Sequence, residues 1–154
     1  MLAFGDFSML KTEQVKDILG HNSLFKLCND RTLTDIAMIA VELDLEKGQI
    51  IYRPGHDAVN VYVLVEGIVT FINKAGLEFL NVQQVMDRSR VFGWVALVPE
   101  HPHRIGTAQC LENSKILSIN GEQLLGILDQ DTQSGYLVMK SLCSMIASTF
   151  DQKP

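Results

Sequence analysis

The apolar residues of this chain change their period from helical to alternating near Val41 and back again near Asn120, and that double switch limits the fold more than any other feature. Before it, residues 8–20 place Leu10, Val15, Ile18 and Leu19 near one helical face, with Thr12 as the expected N-cap and Gly20 as the stop. A second helix is expected at about 30–40, where Leu33, Ile36, Ala37 and Ile39 recur at helical spacing after an Asn29-Asp30 start. From Val41 the period is two: Val41, Leu43 and Leu45 alternate with acids and run into a Lys47-Gly48 turn. Gln49–Tyr52, Val61–Val65, Ile68–Ile72, Leu77–Met86, Gly106–Leu111 and Lys115–Ile119 are further β-type runs, separated by Pro54-Gly55, Glu66-Gly67, Ala75-Gly76 and Asn113-Ser114. Short strands this closely spaced predict an antiparallel barrel or jelly roll. After Asn120 the helical period returns, with Leu124, Leu125, Ile127 and Leu128 in one short helix. Asp131 or Thr132 then caps a last helix carrying Tyr136, Met139, Leu142, Cys143, Ile146 and Phe150.

The fold class is therefore mainly β with flanking helices. One domain is expected over 1–154, its roll at about 41–119 between helices at about 8–40 and 121–150, since 154 residues suffice to bury one core without metals or disulfides. A formal charge of −5 offers no basic footprint for a phosphate backbone, so nucleic acid is not an expected partner. The start lacks a basic leader and no apolar run approaches the ~18 residues of a membrane span, which predicts a cytoplasmic protein with no membrane partner. Cys28, Cys110 and Cys143 are odd in number and far apart, the pattern of free thiols in a reducing compartment.

Chemistry concentrates between Val91 and Ala108, V-F-G-W-V-A-L-V-P-E-H-P-H-R-I-G-T-A. Gly93 lets the backbone approach a ligand closely, and Trp94, Val95, Ala96 and Leu97 can form one helical turn whose N–H groups face an anion. Arg104 supplies a guanidinium that matches phosphate oxygens in pairs. The same residues also read as a hairpin with a surface or salt-bridging arginine. His101-Pro102-His103 has the His-x-His spacing of cupin metalloenzymes, but Glu112 is distant and no histidine follows, so neither a metal nor a resident cofactor is expected. His21 and His56 read as solvent-facing turn residues, and no nucleophile stands beside a base, so no enzymatic activity is expected.

In order, S-L-F-K-L at 23–27, E-K-G-Q-I-I-Y-R-P-G at 46–55, V-Y-V-L-V-E-G-I-V at 61–69 and F-G-W-V-A-L at 92–97 resemble the cyclic nucleotide-binding domain. The resemblance covers roughly residues 21–150 and implies an eight-stranded jelly roll (a double-stranded β-helix) with helices at both ends. Gly48, Gly55, Gly67 and Gly93 fall where that family places its turn glycines. It also implies a ligand-binding cassette of Gly93, Trp94, Val95, Ala96, Leu97, Arg104 and Ile105.

Departures from the family pattern are equally specific. Family cassettes resemble F-G-E, apolar residues, then Pro-Arg and a small residue, the glutamate accepting from the ribose and the arginine pairing with the cyclic phosphate. Here Trp94 replaces the glutamate, His103 separates Pro102 from Arg104, and Ile105 replaces the small residue. An indole has no acceptor oxygen, so the ribose contact is not repeated. Trp94 is read either as a hydrophobic plug in the ribose pocket or as an aromatic face for a planar ligand. In the family's bacterial transcription factors the last helix runs on into a helix-turn-helix domain, whereas this sequence ends at Pro154, so no DNA-reading domain is expected in it.

These readings predict a non-catalytic regulatory module with a degenerate cassette, taking a nucleotide or another anionic small molecule in a way unlike cyclic AMP. One alternative is a vestigial pocket on a protein-interaction module, and a more distant one is the cupin-type enzyme. The apolar residues of the last helix wrap beyond a single stripe, which predicts a homodimer through it, with a partner protein as the other way to cover that face.

Overall fold

The computed structural model describes residues 10–73, 83–86 and 90–150. Helix α1 spans Thr12–Gly20 and α2 spans Asp30–Ile39. Among the described residues eight strands follow: β1 Val41–Leu45, β2 Ile50–Tyr52, β3 Asn60–Glu66, β4 Val69–Asn73, β5 Gln83–Met86, β6 Val91–Phe92, β7 Gly106–Cys110 and β8 Ser114–Asn120. Helices α3, Gly121–Gln130, and α4, Thr132–Phe150, follow β8. The strands form two four-stranded sheets ordered β1-β8-β3-β6 and β2-β7-β4-β5, every pairing antiparallel, which is the jelly roll expected from the spacing of turns.

Strand β3 explains how the roll is layered. Its run V-Y-V-L-V is apolar without a break because successive side chains leave opposite faces of the sheet and both faces are covered. Val61, Val63 and Val65 join the core shared with the helices, whereas Tyr62 and Leu64 point between the two sheets. Strand β8 repeats the division, with Leu117 and Ile119 toward the helices and Ile116 inside the roll. The first sheet is thus a wall between two cores. One core joins α1–α4 to its outer face through Leu19, Ile36, Leu124, Leu128, Val138 and Leu142. The other fills the roll with Tyr52, Tyr62, Leu64, Val69, Phe92, Ala108, Cys110 and Ile116.

Several expected boundaries move, each for a local reason. Helix α1 is capped by Lys11 and not by Thr12, because the Gln14 side chain reaches back to accept from the Lys11 N–H at 2.8 Å. Gly20 is inside that helix, which ends on His21 in a right-handed conformation. Asp131 is the residue before α4, its carboxylate accepting from the Ser134 N–H at 3.2 Å as an N-cap does. Val91–Phe92 is a strand, read from sequence only as the entrance to the cassette, and it pairs with Tyr62 and Val63 of β3. Of the expected strand Leu77–Met86, only 83–86 lie within the described residues, and the Ala75-Gly76 turn lies outside them.

Candidate ligand site in the cassette

Gly93 opens the site. Its φ of 73° is left-handed, and a Cβ there would stand 2.9 Å from the Tyr62 ring and 3.0 Å from Nη1 of Arg104, so the position needs glycine both for its backbone and for its space. Trp94–Leu97 follow as a single 3-10 turn. At four residues it is too short to build a helix dipole, so attraction for an anion at this site must come mainly from the arginine.

Arg104 sits on a loop pinned at both ends of its own peptide: its N–H donates to the His56 carbonyl at 2.8 Å, and its carbonyl accepts from Gly55 N–H at 2.9 Å. This pairing turns the side chain inward, and the residue is only 4% exposed. The surface-arginine reading is thereby excluded. Nη1 donates to the Gly93 carbonyl at 2.8 Å and Nη2 to the Asn60 carbonyl. The guanidinium lies 4.2 Å above the Tyr52 ring centroid and 5.6 Å from that of Tyr62, an arrangement of cation–π type. Tyr52 and Tyr62 stack at 6.1 Å, Tyr62 and Phe92 at 5.1 Å, and Phe71 tilts against Tyr52 at 6.5 Å. Burial pushes the Tyr52 phenol well above the usual tyrosine range, against the opposing pull of the Arg104 charge, so the hydroxyl stays protonated. Among the described residues no carboxylate pairs with Arg104, and its buried Nε has no hydrogen-bond partner.

The structure gathers only part of the expected set. Gly93 and Arg104 meet directly. Leu97 is buried in the helix-side core and Trp94 packs partly buried against it, while Tyr52, Tyr62 and Phe92 fill the interior of the roll. Val95 is buried, and the Ala96 carbonyl lies where a Cβ on Gly121 would collide with it, seating the turn on the start of α3. Ile105 is 48% exposed, because consecutive residues of an extended chain alternate and Arg104 takes the inward side. Sequence reading missed Tyr52, Tyr62, Phe71, Phe92 and the Asn60 carbonyl. The one signal for the tyrosines was their parity, Tyr62 sharing a strand face with Leu64.

The histidines do not assemble. His103 Nδ1 lies 3.3 Å from an Asp57 carboxylate oxygen, His56 Nδ1 accepts from Arg53 N–H, and among the described residues no cluster of three side chains suited to a metal occurs. Cys28 and Cys110 are buried, Cys143 is exposed, and all three are free. Among the described residues no helix is long and apolar enough to cross a membrane.

Two antiparallel sheets rolled on an aromatic interior, and a glycine-led turn answered by an inward arginine eleven residues later, define a β-roll of the cassette-bearing class. The chain belongs to the cyclic nucleotide-binding domain family, whose model matches residues 42–131. That family is one of regulatory and sensor domains. A search of curated proteins found none that matches the chain.

Among solved structures, the sensor domain of the transcriptional regulator DNR from Pseudomonas aeruginosa is similar over 92% of this chain and 95% of that one, at 19% identity and a TM-score of 0.73. The regulatory domain of Toxoplasma gondii PKA with cAMP matches over 89% of this chain and 49% of that one, at 17% identity and a TM-score of 0.73. The catabolite activator protein of Thermus thermophilus matches over 82% and 57%, at 17% identity and a TM-score of 0.65. At such identities the likeness is one of fold.

Proposed function

We propose that this chain is a non-catalytic cytoplasmic regulatory module that senses an anionic small molecule at Arg104 and does not hold cyclic AMP in the usual way. The observation that carries the reading is a guanidinium buried at the cassette that no carboxylate among the described residues neutralises. A buried, unpaired charge is costly, and an anionic ligand beside Gly93–Leu97 would compensate it. Trp94 stands where the family resemblance puts the ribose acceptor, and its indole is turned to the helices. A cyclic nucleotide would therefore leave a ribose hydroxyl unpaired, at about 1–3 kcal/mol or roughly tenfold to over a hundredfold in affinity.

The cassette also has a mechanical outlet. Ala96 abuts the first residue of α3, and α3 leads directly into α4, so a shift of the turn is passed to the terminal helices. Titration calorimetry with cyclic AMP, cyclic GMP and linear nucleotides tests the reading: low-micromolar binding of cyclic AMP would overturn it.

A second reading, a vestigial pocket on an assembly module, is favoured by one feature of α4. Lys140 is the only charged residue between Thr132 and Phe150, Tyr136 is 64% exposed, and Leu137, Met139, Met145 and Ile146 are only partly buried. Such a face suits a second copy of the chain.

A further inference from the structure

We propose that the outer edge of β1 is a docking site for an extended segment of a partner protein in which apolar and basic residues alternate. The inference is independent of any ligand at Arg104. Strand β1 ends the first sheet: it pairs with β8 on one side and, among the described residues, with no strand on the other. At five residues it is longer than the other edge strands described, β2, β5 and β6. An edge strand turns half of its backbone N–H and C=O groups outward, where a further strand can pair with them.

The two faces of this edge differ, and the difference selects the partner. Val41 and Leu43 are 50% and 36% exposed, whereas Leu45 packs on the inner core. The intervening Glu42 and Asp44 leave the opposite face of the strand. Glu42 is neutralised, its carboxylate meeting Lys115 Nζ at 2.9 Å and accepting from Leu10 N–H at 2.6 Å. Asp44 is exposed, and with Glu46 and Glu66 it lines a hollow of about 340 Å³. Lys115, already held by Glu42, is the only cation among the described lining residues, and none of the three carboxylates is in an ion pair among the described residues. A strand added here sets apolar side chains against Val41 and Leu43 and, one residue on, a lysine or arginine against Asp44 and Glu46. A second copy of β1 fails that requirement. Two-fold antiparallel pairing centred on Leu43 sets Glu42 opposite Asp44 twice, like charge on like.

The probe is a fluorescein-labelled peptide alternating valine and lysine, read by anisotropy and by hydrogen exchange of the β1 amides on the full chain. Saturable binding and slower exchange across Val41–Leu45 are expected. Both should vanish for a peptide of the same composition arranged in two blocks, and for one methylated at every peptide nitrogen, which removes the donors and keeps the charge. Asp44→Asn/Glu46→Gln should weaken binding about tenfold. Both positions are exposed, so its Tm should match that of the parent. Equal binding of the block or methylated peptide overturns the edge pairing, and equal binding by the double variant overturns the selection by charge. A valine–lysine peptide that does not bind overturns the proposal outright. Protection of the β1 amides in the concentrated parent without peptide, lost on dilution, would assign the edge to a second copy and overturn the basic partner.

Discussion

Arg104 shows how one residue can carry opposite consequences for stability and for binding. Its charge is buried among carbonyls and rings, so Arg104→Met, which keeps the length and removes the charge, should hold or raise the Tm while abolishing anion binding. A Tm lowered by several degrees in that variant would make the guanidinium a structural strut. Gly93→Ala should cost about 1–2 kcal/mol for the left-handed backbone alone. Its Cβ would also press on Tyr62 and on Nη1 of Arg104, so anion affinity should fall with stability in denaturant melts. Trp94→Glu invites the idea of restoring a ribose acceptor. Because the indole packs on the helix-side core, the substituted carboxylate would meet apolar neighbours, and the expected result is a destabilised chain with no gain for cyclic AMP.

At the scale of elements, the N-termini of α2 and α4 are tied into one polar knot. Asn29 caps α2 by accepting from Thr32 N–H at 2.8 Å, and its amide donates to Asp131 at 2.8 Å. Asp131 also accepts from the Thr32 hydroxyl at 2.6 Å while capping α4, and the Ser134 hydroxyl accepts from Asn29 N–H at 3.1 Å. Asn29→Ala removes a cap and a cross-link together, and a loss of about 1–2 kcal/mol is expected in chemical denaturation. The Ser134 and Thr32 hydrogen bonds hold the Asp131 carboxyl below the usual carboxylate range. A group depressed on folding contributes stability that is complete above its unfolded pKa and is lost as pH falls through the folded one. The knot should therefore survive mild acid and loosen only below that range, and Asp131→Asn should flatten this part of the acid limb in a pH series of thermal melts.

For the whole molecule, the two cores predict two kinds of partner. The inner core borders Arg104, the site proposed for an anion, and the outer one leaves part of α4 uncovered. Val138 and Leu142 are spent on the core, so the interface face is the one carrying Tyr136. Light scattering at micromolar concentration should give twice the 17.2 kDa of the single chain, and Tyr136→Glu should return it to one chain with the circular dichroism unchanged. A parent mass of one chain would refute the dimer.

The roll was legible from sequence because its causes are local: a period of two broken by glycine turns, and helical periods on either side, leave few architectures that bury both faces of V-Y-V-L-V. Gly93 and Arg104 were legible as a pair for the same reason, since a left-handed turn and a phosphate-shaped donor are properties of residue type. Tertiary structure alone decided which way the side chains face. The His56–Arg104 pairing sends the guanidinium inward and Ile105 out, and the division of β3 by parity puts Tyr62 inside the roll beside Arg104 and its valines on the helix side. Trp94 falls to the helices because the cassette turn rests on Gly121, a contact between segments some twenty-five residues apart that no local pattern encodes.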